Sequence, residues 1–334
     1  MPQADETFVT TTLEATPEGY LDDDEVSLST DYGEPTLPSW CSLTSSVALH
    51  TYEHGRRYHR YKQGHYPIPN DDQEQSREEM KHLWALEILD GRLFLAPIGD
   101  HPLKVIDLGT GTGSWAVEVA EKFVGAEVVG VDLSPIQPAF CPPNLQFHVD
   151  NVEDEWVYGT NYDFVHLRHM GWLLKDPAQL LKSAFANMSS GGWIEFQDLQ
   201  SEVTSDDNTI SADYAPNQLL RLIEQSFTQS FSFDYDFARR IPTELEKAGF
   251  INIRVVNYKV PIGPWARDEK LRYTGWILRE TILAHLSSIS LKPLQSLGIP
   301  QGCITNLISK VQEQLYDPKV HGSATFVLVY GQKP

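Results

Sequence analysis

The stretch that decides the fold lies at residues 105–113 and reads Val105-Ile106-Asp107-Leu108-Gly109-Thr110-Gly111-Thr112-Gly113. An apolar run ends in an acid, and three glycines follow at every second position. Residues 114–120 continue directly in a helical pattern, so the sequence predicts a strand, a tight turn and a helix. Glycine tolerates positive φ and lets a ligand approach the main chain, while the new helix points free N–H groups into the turn. The stretch therefore indicates a nucleotide-type binding loop.

Three interpretations of this loop compete. A dinucleotide-binding loop has the pattern G-x-G-x-x-G, but its third glycine would fall at position 114, which is Ser114. The order D-x-G-x-G-x-G, from Asp107 to Gly113, instead resembles motif I of the class I methyltransferases that use S-adenosylmethionine (SAM). A glycine-rich turn without a ligand is the third alternative.

A second acid follows at the end of the next buried strand, residues 127–132. The carboxylate of Asp132 can accept both ribose hydroxyls of an adenosine. Alternatively, Asp132 caps a helix that Ser134 and Pro135 indicate nearby. NAD and SAM sites share this spacing of loop and acid, so it favours an adenosine site without choosing the cofactor.

The composition excludes several classes of protein. The 334 residues carry 46 acids against 26 Lys and Arg, a net charge of −20, which argues against a nucleic-acid or anionic-membrane partner. The three cysteines, Cys41, Cys141 and Cys303, are far apart in sequence and show neither a C-x-x-C motif nor the pattern of a disulfide framework. We therefore expect a reducing compartment, the cytoplasm or alternatively the nucleus. No apolar run approaches the ~20 residues of a membrane span, and no signal peptide is visible.

The N-terminal part divides into two segments. Residues 1–40 hold ten acids and no Lys or Arg, which predicts a disordered tail. Residues 41–100 contain a basic patch rich in Tyr and His at 52–70, followed by a predicted helix over 72–89. This patch either folds over the glycine loop, with Tyr58 and the arginines lining a cofactor, or pairs with the acidic tail.

Residues 101–334 alternate between strands and helices. Strands are predicted at 103–108, 127–132, 145–149, 162–167, 193–198, 251–260 and 321–330, with helices between them. Insertions at about 199–240 and 264–318 form helical caps, whose aromatic side chains either line a small-molecule pocket or make the core of the cap. The fold predicted is α/β and Rossmann-like: a seven-stranded, mostly parallel sheet with an antiparallel edge strand. The last two strands, 251–260 and 321–330, fit an antiparallel hairpin at the edge of the sheet, interrupted by the second insertion. This late hairpin favours a methyltransferase, because a dinucleotide domain lacks it.

From about residue 45 onward the chain resembles the LaeA-like fungal methyltransferases. The resemblance rests on residues 53–59 (Glu-His-Gly-Arg-Arg-Tyr-His), 106–113, 131–138, 191–195 and 329–334. It implies SAM in the glycine loop, Asp132 on the ribose and the turn 150–152 at the adenine. His54 stands where this family often has Asn, and Asn151 stands where many relatives have Asp.

The candidate site residues follow from these patterns. Candidate cofactor-binding residues are Tyr58, Asp107, Gly109, Thr110, Gly111, Gly113, Asp132, Leu133, Gln137, Asp150, Asn151, Val152 and His166. His169 is the first candidate for a catalytic base, because imidazole suits an oxygen acceptor at neutral pH, and Glu195 is the second. Methyl transfer from a sulfonium is an in-line displacement with a neutral leaving group, so no metal is expected.

Three functions remain open at this stage. The first is methylation of a small-molecule acceptor in fungal secondary metabolism. The second is a regulator of secondary metabolism that binds SAM and acts through protein partners in a nuclear complex. The third is a NAD-dependent oxidoreductase, which Ser114 and the late hairpin argue against.

Overall fold

The computed structural model describes residues 5–9, 13, 50–53, 55–59 and 68–334. Most of the tail predicted over 1–40, and the patch residues His54 and 60–67, lie outside the described residues. The strands of the described residues are β1 Asp5–Val9, β2 His50–Glu53, β3 Arg56–His59, β4 Lys104–Leu108, β5 Glu127–Asp132, β6 Leu145–Val149, β7 Tyr162–Arg168, β8 Met188–Leu199, β9 Ile251–Pro261 and β10 Ser323–Gln332. The helices are α1 Asp72–Ile88, α2 Ser114–Lys122, α3 Pro177–Asn187, α4 Ala215–Ser226, α5 Phe237–Ala248, α6 Glu269–Ser296 and α7 Gln301–Tyr316.

One large sheet organises the described residues, in the strand order β1-β9-β10-β8-β7-β4-β5-β6. Strands β6, β5, β4, β7 and β8 are mutually parallel, and β10 is antiparallel to both β8 and β9. The class I methyltransferase architecture predicted from the sequence is therefore confirmed. Residues 105–108 are buried because a parallel strand is covered on both faces.

The order of the strands locates the binding crevice. After β4 the chain runs outward through β5 to β6, and β7 then returns to the other side of β4. The carboxyl ends of β4 and β7 therefore meet at a topological switch point, where open α/β sheets bind their ligands. The glycine loop starts at this point.

Two details differ from the sequence expectation. Among the described residues an eighth strand, β1, lies parallel to β9 in a region predicted to be a disordered tail. Strand β8 begins at Met188, earlier than predicted, and its register shifts opposite Tyr162 and Phe164. Gly191 takes φ +82° there, and its N–H donates to the Lys333 carbonyl, so residues 189–192, which the sequence suggested as the turn between a helix and strand 193–198, are part of the strand.

The two predicted insertions hold α4, a π-helical turn Phe227–Phe231, and the pair α6 and α7. Helix α1 packs on α6 in the opposite direction, since Glu74 lies near His285 and Asp90 pairs with Lys270. The rings of the first insertion pack on one another and on Trp172. In the second insertion, Tyr273 and Trp276 stack on each other at the surface. The rings of the first insertion thus belong to the core of the cap, which favours the second of the two alternatives for that insertion.

Candidate functional site

The glycine loop begins beyond the carboxyl end of β4 and is held by backbone and side-chain hydrogen bonds. The N–H groups of Gly109 and Thr110 both donate to the Val131 carbonyl, and Gly113 caps α2 in the left-handed conformation. The Thr110 hydroxyl donates to Asp107 Oδ2 at 2.7 Å. Asp107 therefore fixes the loop to the strand that precedes it.

Gly109 and Gly113 are required by their surroundings as well as by their positive φ. A Cβ at Gly109 (φ +80°) would lie 2.3 Å from Met170 Sδ, and one at Gly113 (φ +88°) would lie 2.6 Å from Phe147 Cζ. Neither position can hold a larger residue without a shift of its neighbour. The loop is thus a cradle with bare backbone facing the crevice.

Asp132 joins the end of β5 to this loop. Its carboxylate accepts the Gly111 N–H at 2.8 Å through Oδ2 and the Ser134 N–H at 2.9 Å through Oδ1. Burial raises the pKa of Asp132 to about 6. The expected helix beside Ser134 does not form, because residues 133–144 are irregular, so the capping alternative is wrong.

The side chain of Gln137 also contacts the glycine loop and the turn that follows β5. Its Nε2 donates to the carbonyls of Gly111 and Ser134, at 2.7 and 2.9 Å. The amide is therefore occupied in holding the loop against the turn after β5. We assign Gln137 a positioning role there, in place of the direct ligand contact expected from the sequence.

Two cavities flank Gly109. The first, called the β5–β6 pocket, has a volume of about 710 Å³ including its open mouth. It is lined by Gly109, Asp132, Leu133, Asp150, Asn151, Val152, Glu153, Met170, Leu173, Leu174, Lys175 and Phe233. The four residues predicted for the ribose and adenine, Asp132 and residues 150–152, all line it, together with the candidates Gly109 and Leu133. Asp150 accepts from the Tyr158 hydroxyl at 2.9 Å, and the Asn151 side chain turns away to Asp154.

The second cavity, called the α1 cleft, lies between the glycine loop and α1. It has a volume of about 400 Å³ and is lined by Glu78, Lys81, His82, Asp107, Gly109, Thr110, Gly111, Thr112, Ser114, Trp115, His166, Arg168 and His169. The charged residues of α1 and Arg168 were missed by the sequence reasoning. Glu78, Lys81 and His82 follow one another at helical spacing on the side of α1 that faces the loop, which is the signal that could have revealed them.

The charges of the α1 cleft are arranged as pairs. Lys81 Nζ contacts both oxygens of Glu78, at 3.0 and 2.9 Å. Burial alone would raise the pKa of Glu78, but Arg77 and Lys81 hold it at about 2. Arg168 donates to His82 Nδ1 at 2.7 Å, which leaves Nε2 of His82 to donate to Glu118 at 2.8 Å. The cleft thus presents the carboxylate of Glu78 together with two cations, Lys81 and Arg168.

The two histidines after β7 differ in environment. His166 is fully buried, stacks on Trp115 at 3.7 Å and bonds Asp107 Oδ1 through Nδ1 at 2.8 Å. His169 has φ +56° and its N–H donates to the Gln197 carbonyl. Within the described residues, Nε2 of His169 has no hydrogen-bond partner. Burial, together with Lys81 and Arg168, lowers the pKa of His169 well below its ordinary value, so its imidazole is neutral.

Glu195, the second catalytic candidate, lies outside both cavities. Its carboxylate accepts from the N–H groups of Leu95 and Ala96 and from Gln197 Nε2. Burial raises its pKa to about 7. All its close contacts serve to hold the chain at residues 95–96, so the structure does not bring Glu195 to the reaction centre.

The described residues of the N-terminal patch line neither cavity. Lys292 of α6 lies 5.0 Å above the ring of Tyr58, which lines neither cavity. Arg56 pairs with Asp71, the N-cap of α1, and Arg57 Nη2 reaches Asp72 at 3.3 Å. The described arginines, Arg56 and Arg57, therefore fasten the β2–β3 hairpin to the start of α1, and neither lines either cavity.

The polar, charged and apolar groups that line the two cavities fit an adenosine joined to an amino acid. One cavity offers carboxylates and apolar walls, the other offers opposite charges, and the bare backbone of Gly109 lies between them. No cluster of three or more side chains that could hold a metal ion occurs in the part of the chain that the structure describes. Nor is any described helix long and apolar enough to cross a membrane.

Comparison with known proteins agrees with this geometry. The family model described as "Methyltransferase domain" matches residues 76–255. The chain is 35% identical over 316 residues to "Methyltransferase pytC" of Aspergillus terreus, covering 94% of this chain and 95% of the relative. The chain belongs to the methyltransferase family. It is a SAM-dependent enzyme, and the bound cofactor supplies an electrophilic methyl group on a sulfonium.

Other relatives of this methyltransferase carry a different name. The chain is 30% identical over 313 residues to "Secondary metabolism regulator laeA" of Aspergillus flavus, covering 90% of this chain and 82% of the relative. Among solved structures, phosphoethanolamine N-methyltransferase 2 of Haemonchus contortus in complex with SAM is a distant neighbour. It matches with a TM-score of 0.44 at 18% identity, over 71% of this chain and 50% of that one.

Proposed function

We propose that the enzyme methylates a protic oxygen of a small organic acceptor, a secondary metabolite, with the cofactor lying across Gly109. The observation that carries this proposal is that the β5–β6 pocket and the α1 cleft share Gly109, where any side chain would strike Met170. The sulfur of the cofactor would then lie beside the loop, with its adenosine on one side and its amino-acid end on the other.

The β5–β6 pocket would hold the adenosine. Asp132 has lone pairs left after accepting two backbone N–H groups, and these can accept the ribose hydroxyls. Asp150 and Asn151 stand at the polar end of the pocket, where the adenine amino group would lie. Leu133 and Val152 supply apolar contact for the ring.

The α1 cleft would hold the amino-acid end, which carries an ammonium and a carboxylate. Glu78 suits the ammonium, since its pKa of about 2 keeps it ionised. Lys81 and Arg168 suit the carboxylate, since charge-assisted hydrogen bonds are the stronger ones. This division replaces the sequence-based hypothesis that Tyr58 and the arginines of the patch fill this role.

His169 would accept the proton that the nucleophilic oxygen loses. Its Nε2 is buried, lacks a partner in the described chain and belongs to a neutral imidazole at the edge of the α1 cleft. Catalysis otherwise consists of holding the oxygen and the methyl group in line at about 3 to 3.5 Å and excluding water.

The test is binding followed by turnover. Calorimetry of S-adenosylhomocysteine (SAH) with the wild-type protein and Asp132→Ala should show tight binding that the substitution abolishes. Incubation with SAM and a panel of phenols, alcohols, amines and thiols, read by mass spectrometry, should show methylated product from the oxygen acceptors. Unchanged affinity in Asp132→Ala, or methylation confined to amines or thiols, would contradict the proposal.

A second candidate is a regulatory role through protein partners, favoured by the relatives named as regulators of secondary metabolism. It predicts methylation of a co-purified protein and a nuclear location, whereas the first candidate predicts turnover of a metabolite in the cytoplasm. Imaging of the tagged protein, together with the acceptor screen, separates the two.

A further inference from the structure

Phe233 reaches the β5–β6 pocket from the insertion at 199–240. It is only 4% exposed, and among the residues lining the pocket it is the one contributed by that insertion. The remaining lining residues belong to the sheet edge or to the segment after β7. One ring of the cap therefore forms part of the pocket proposed for adenosine.

The local backbone aims this ring. The π-helical turn Phe227–Phe231 ends at Ser232, which takes the left-handed conformation at φ +60°. The N–H of Phe233 then donates to the Phe227 carbonyl at 3.0 Å, which reverses the chain. A left-handed serine is strained and persists only where its surroundings impose it, and such strain is common at binding sites.

Two segments join to form a roof over the pocket, residues 170–175 and 227–235, called here the pocket roof. Trp172 stacks on Phe227 at 5.3 Å with an angle of 4° between the rings, and the Asp234 N–H donates to the Leu174 carbonyl at 3.0 Å. Glu153, after β6, accepts the N–H groups of Lys175 and Asp176 at 2.7 and 2.6 Å. The roof is thus fastened both to the cap and to the far wall of the pocket.

The pocket combines acids at the strand ends with apolar side chains on the roof. Asp132 and Asp150 lie at the strand ends, Leu174 and Phe233 lie on the roof, and Lys175 Nζ lies 5.6 Å from the centre of the Phe233 ring. An adenine ring has hydrogen-bonding edges and apolar faces, so its edge suits the strand ends and its face suits the roof.

We propose that Phe233 is a cofactor-binding residue, so that the bound cofactor stabilises the pocket roof in the position that the structure shows. This inference rests on the proposed function. Because Phe233 belongs to the cap, the cofactor would bind first and complete the cap that encloses the acceptor.

The experiment compares Phe233→Ala with Phe231→Ala. The ring of Phe231 stacks on Phe233 at 6.1 Å but lines neither cavity, so it controls for lost packing in the cap. Affinity is measured by calorimetry for SAH and for 5′-methylthioadenosine, which lacks the amino-acid end. Phe233→Ala should weaken both by the same factor, about 5- to 100-fold, as for other base–aromatic contacts. Phe231→Ala should change neither greatly.

Two further measurements keep the test decisive. Phe233→Leu keeps the apolar bulk and should fold even where the alanine variant does not, with a smaller loss of affinity for both ligands. Hydrogen exchange in residues 227–235 should slow on adding SAH to the wild type and to Phe231→Ala, but not to Phe233→Ala. Wild-type affinity in both Phe233 variants, or no protection of the roof, would overturn the inference. If Asp132→Ala also binds normally, the proposed function fails as well.

Discussion

Gly111 donates its backbone N–H to Asp132 Oδ2 at 2.8 Å, although 21 residues separate them in sequence. This bond links the glycine loop to the end of the neighbouring strand. The two residues define the floor of the crevice, and the bond joins the loop and the acid into one unit.

Cofactor affinity should therefore depend on the protonation of Asp132. Burial raises the pKa of this carboxyl from the ordinary 3.8 to about 6, so it is ionised above pH 6 and protonated below. A protonated carboxyl accepts hydrogen bonds poorly, and SAH affinity measured by calorimetry should fall as the pH is lowered through 6. Asp132→Asn should lose about 10- to 100-fold in affinity at pH 7.5, since hydrogen bonds to a charged group are lost, and should show no step near pH 6. A step of wild-type size in this variant would contradict the assignment.

Lys81 should matter only to ligands that have a carboxylate. Lys81→Met removes a cation from the α1 cleft, and we expect SAH to bind about 10-fold or more weakly while 5′-methylthioadenosine binds as before. Lys247→Met is the control, because Lys247 is 65% exposed and lines neither cavity. An equal loss for both ligands would mean that α1 acts through the fold and not through the amino-acid end.

His169→Asn should impair turnover more than binding. Asparagine tolerates the positive φ of this position, so the backbone should keep its course. Loss of a general base typically costs about 10²- to 10⁴-fold in rate, and we expect kcat to fall in that range with SAH affinity unchanged. Since the pKa of His169 lies well below 6.5, the wild-type kcat measured at saturating SAM should not fall until the pH is well below that value. Full activity in the variant would exclude His169 as the base.

Gly109→Ala should abolish cofactor binding. The new methyl group would lie 2.3 Å from Met170 Sδ, in addition to the strain of an alanine at φ +80°. Gly298→Ala is a matched control, since Gly298 has φ +76° and open space around its position. Both variants should lose about 1 to 2 kcal/mol of unfolding free energy from backbone strain, but only Gly109→Ala should lose SAH binding. Normal binding by Gly109→Ala would argue against a cofactor at the loop.

Asp198→Asn should stabilise the protein at alkaline pH. The Asp198 carboxyl is fully buried, with the Gly171 N–H 3.3 Å from each oxygen, and burial raises its pKa to about 7. Between its ordinary pKa of 3.8 and this value, the folded state holds a proton that the unfolded state has released, so stability falls as the pH rises through that window. At pH 8 the free energy of unfolding of the variant should exceed that of the wild type by on the order of a few kcal/mol, seen as a higher unfolding temperature. At pH 4 the two proteins should unfold at nearly the same temperature. A similar change at both pH values would show that packing, not charge, is responsible.

The sequence by itself determined the seven strands from β4 to β10, apart from some of their ends, together with the loop and the acid at β5. Residues 105–113 combine a buried parallel strand with glycines at fixed spacing, and both signals are local. Strands β5 and β6 have the bounds predicted from their apolar runs, 127–132 and 145–149. Asp132 and the turn 150–152 were found because they follow those strands directly, and the carboxyl ends of parallel strands share one edge of the sheet.

Only the tertiary structure decided what lies opposite the loop. Glu78 and Lys81 look like ordinary helix-surface charges in sequence, and they reach the crevice because α1 packs between α2 and α6. Glu195 sits at a strand position that suggested catalysis, but its carboxylate holds the chain at Leu95 and Ala96. Phe233 lies in an aromatic run whose other rings form the cap core. The physical reason is the same in each case: periodicity records which residues are buried or paired within one element, whereas the packing of distant elements decides which partner each side chain meets.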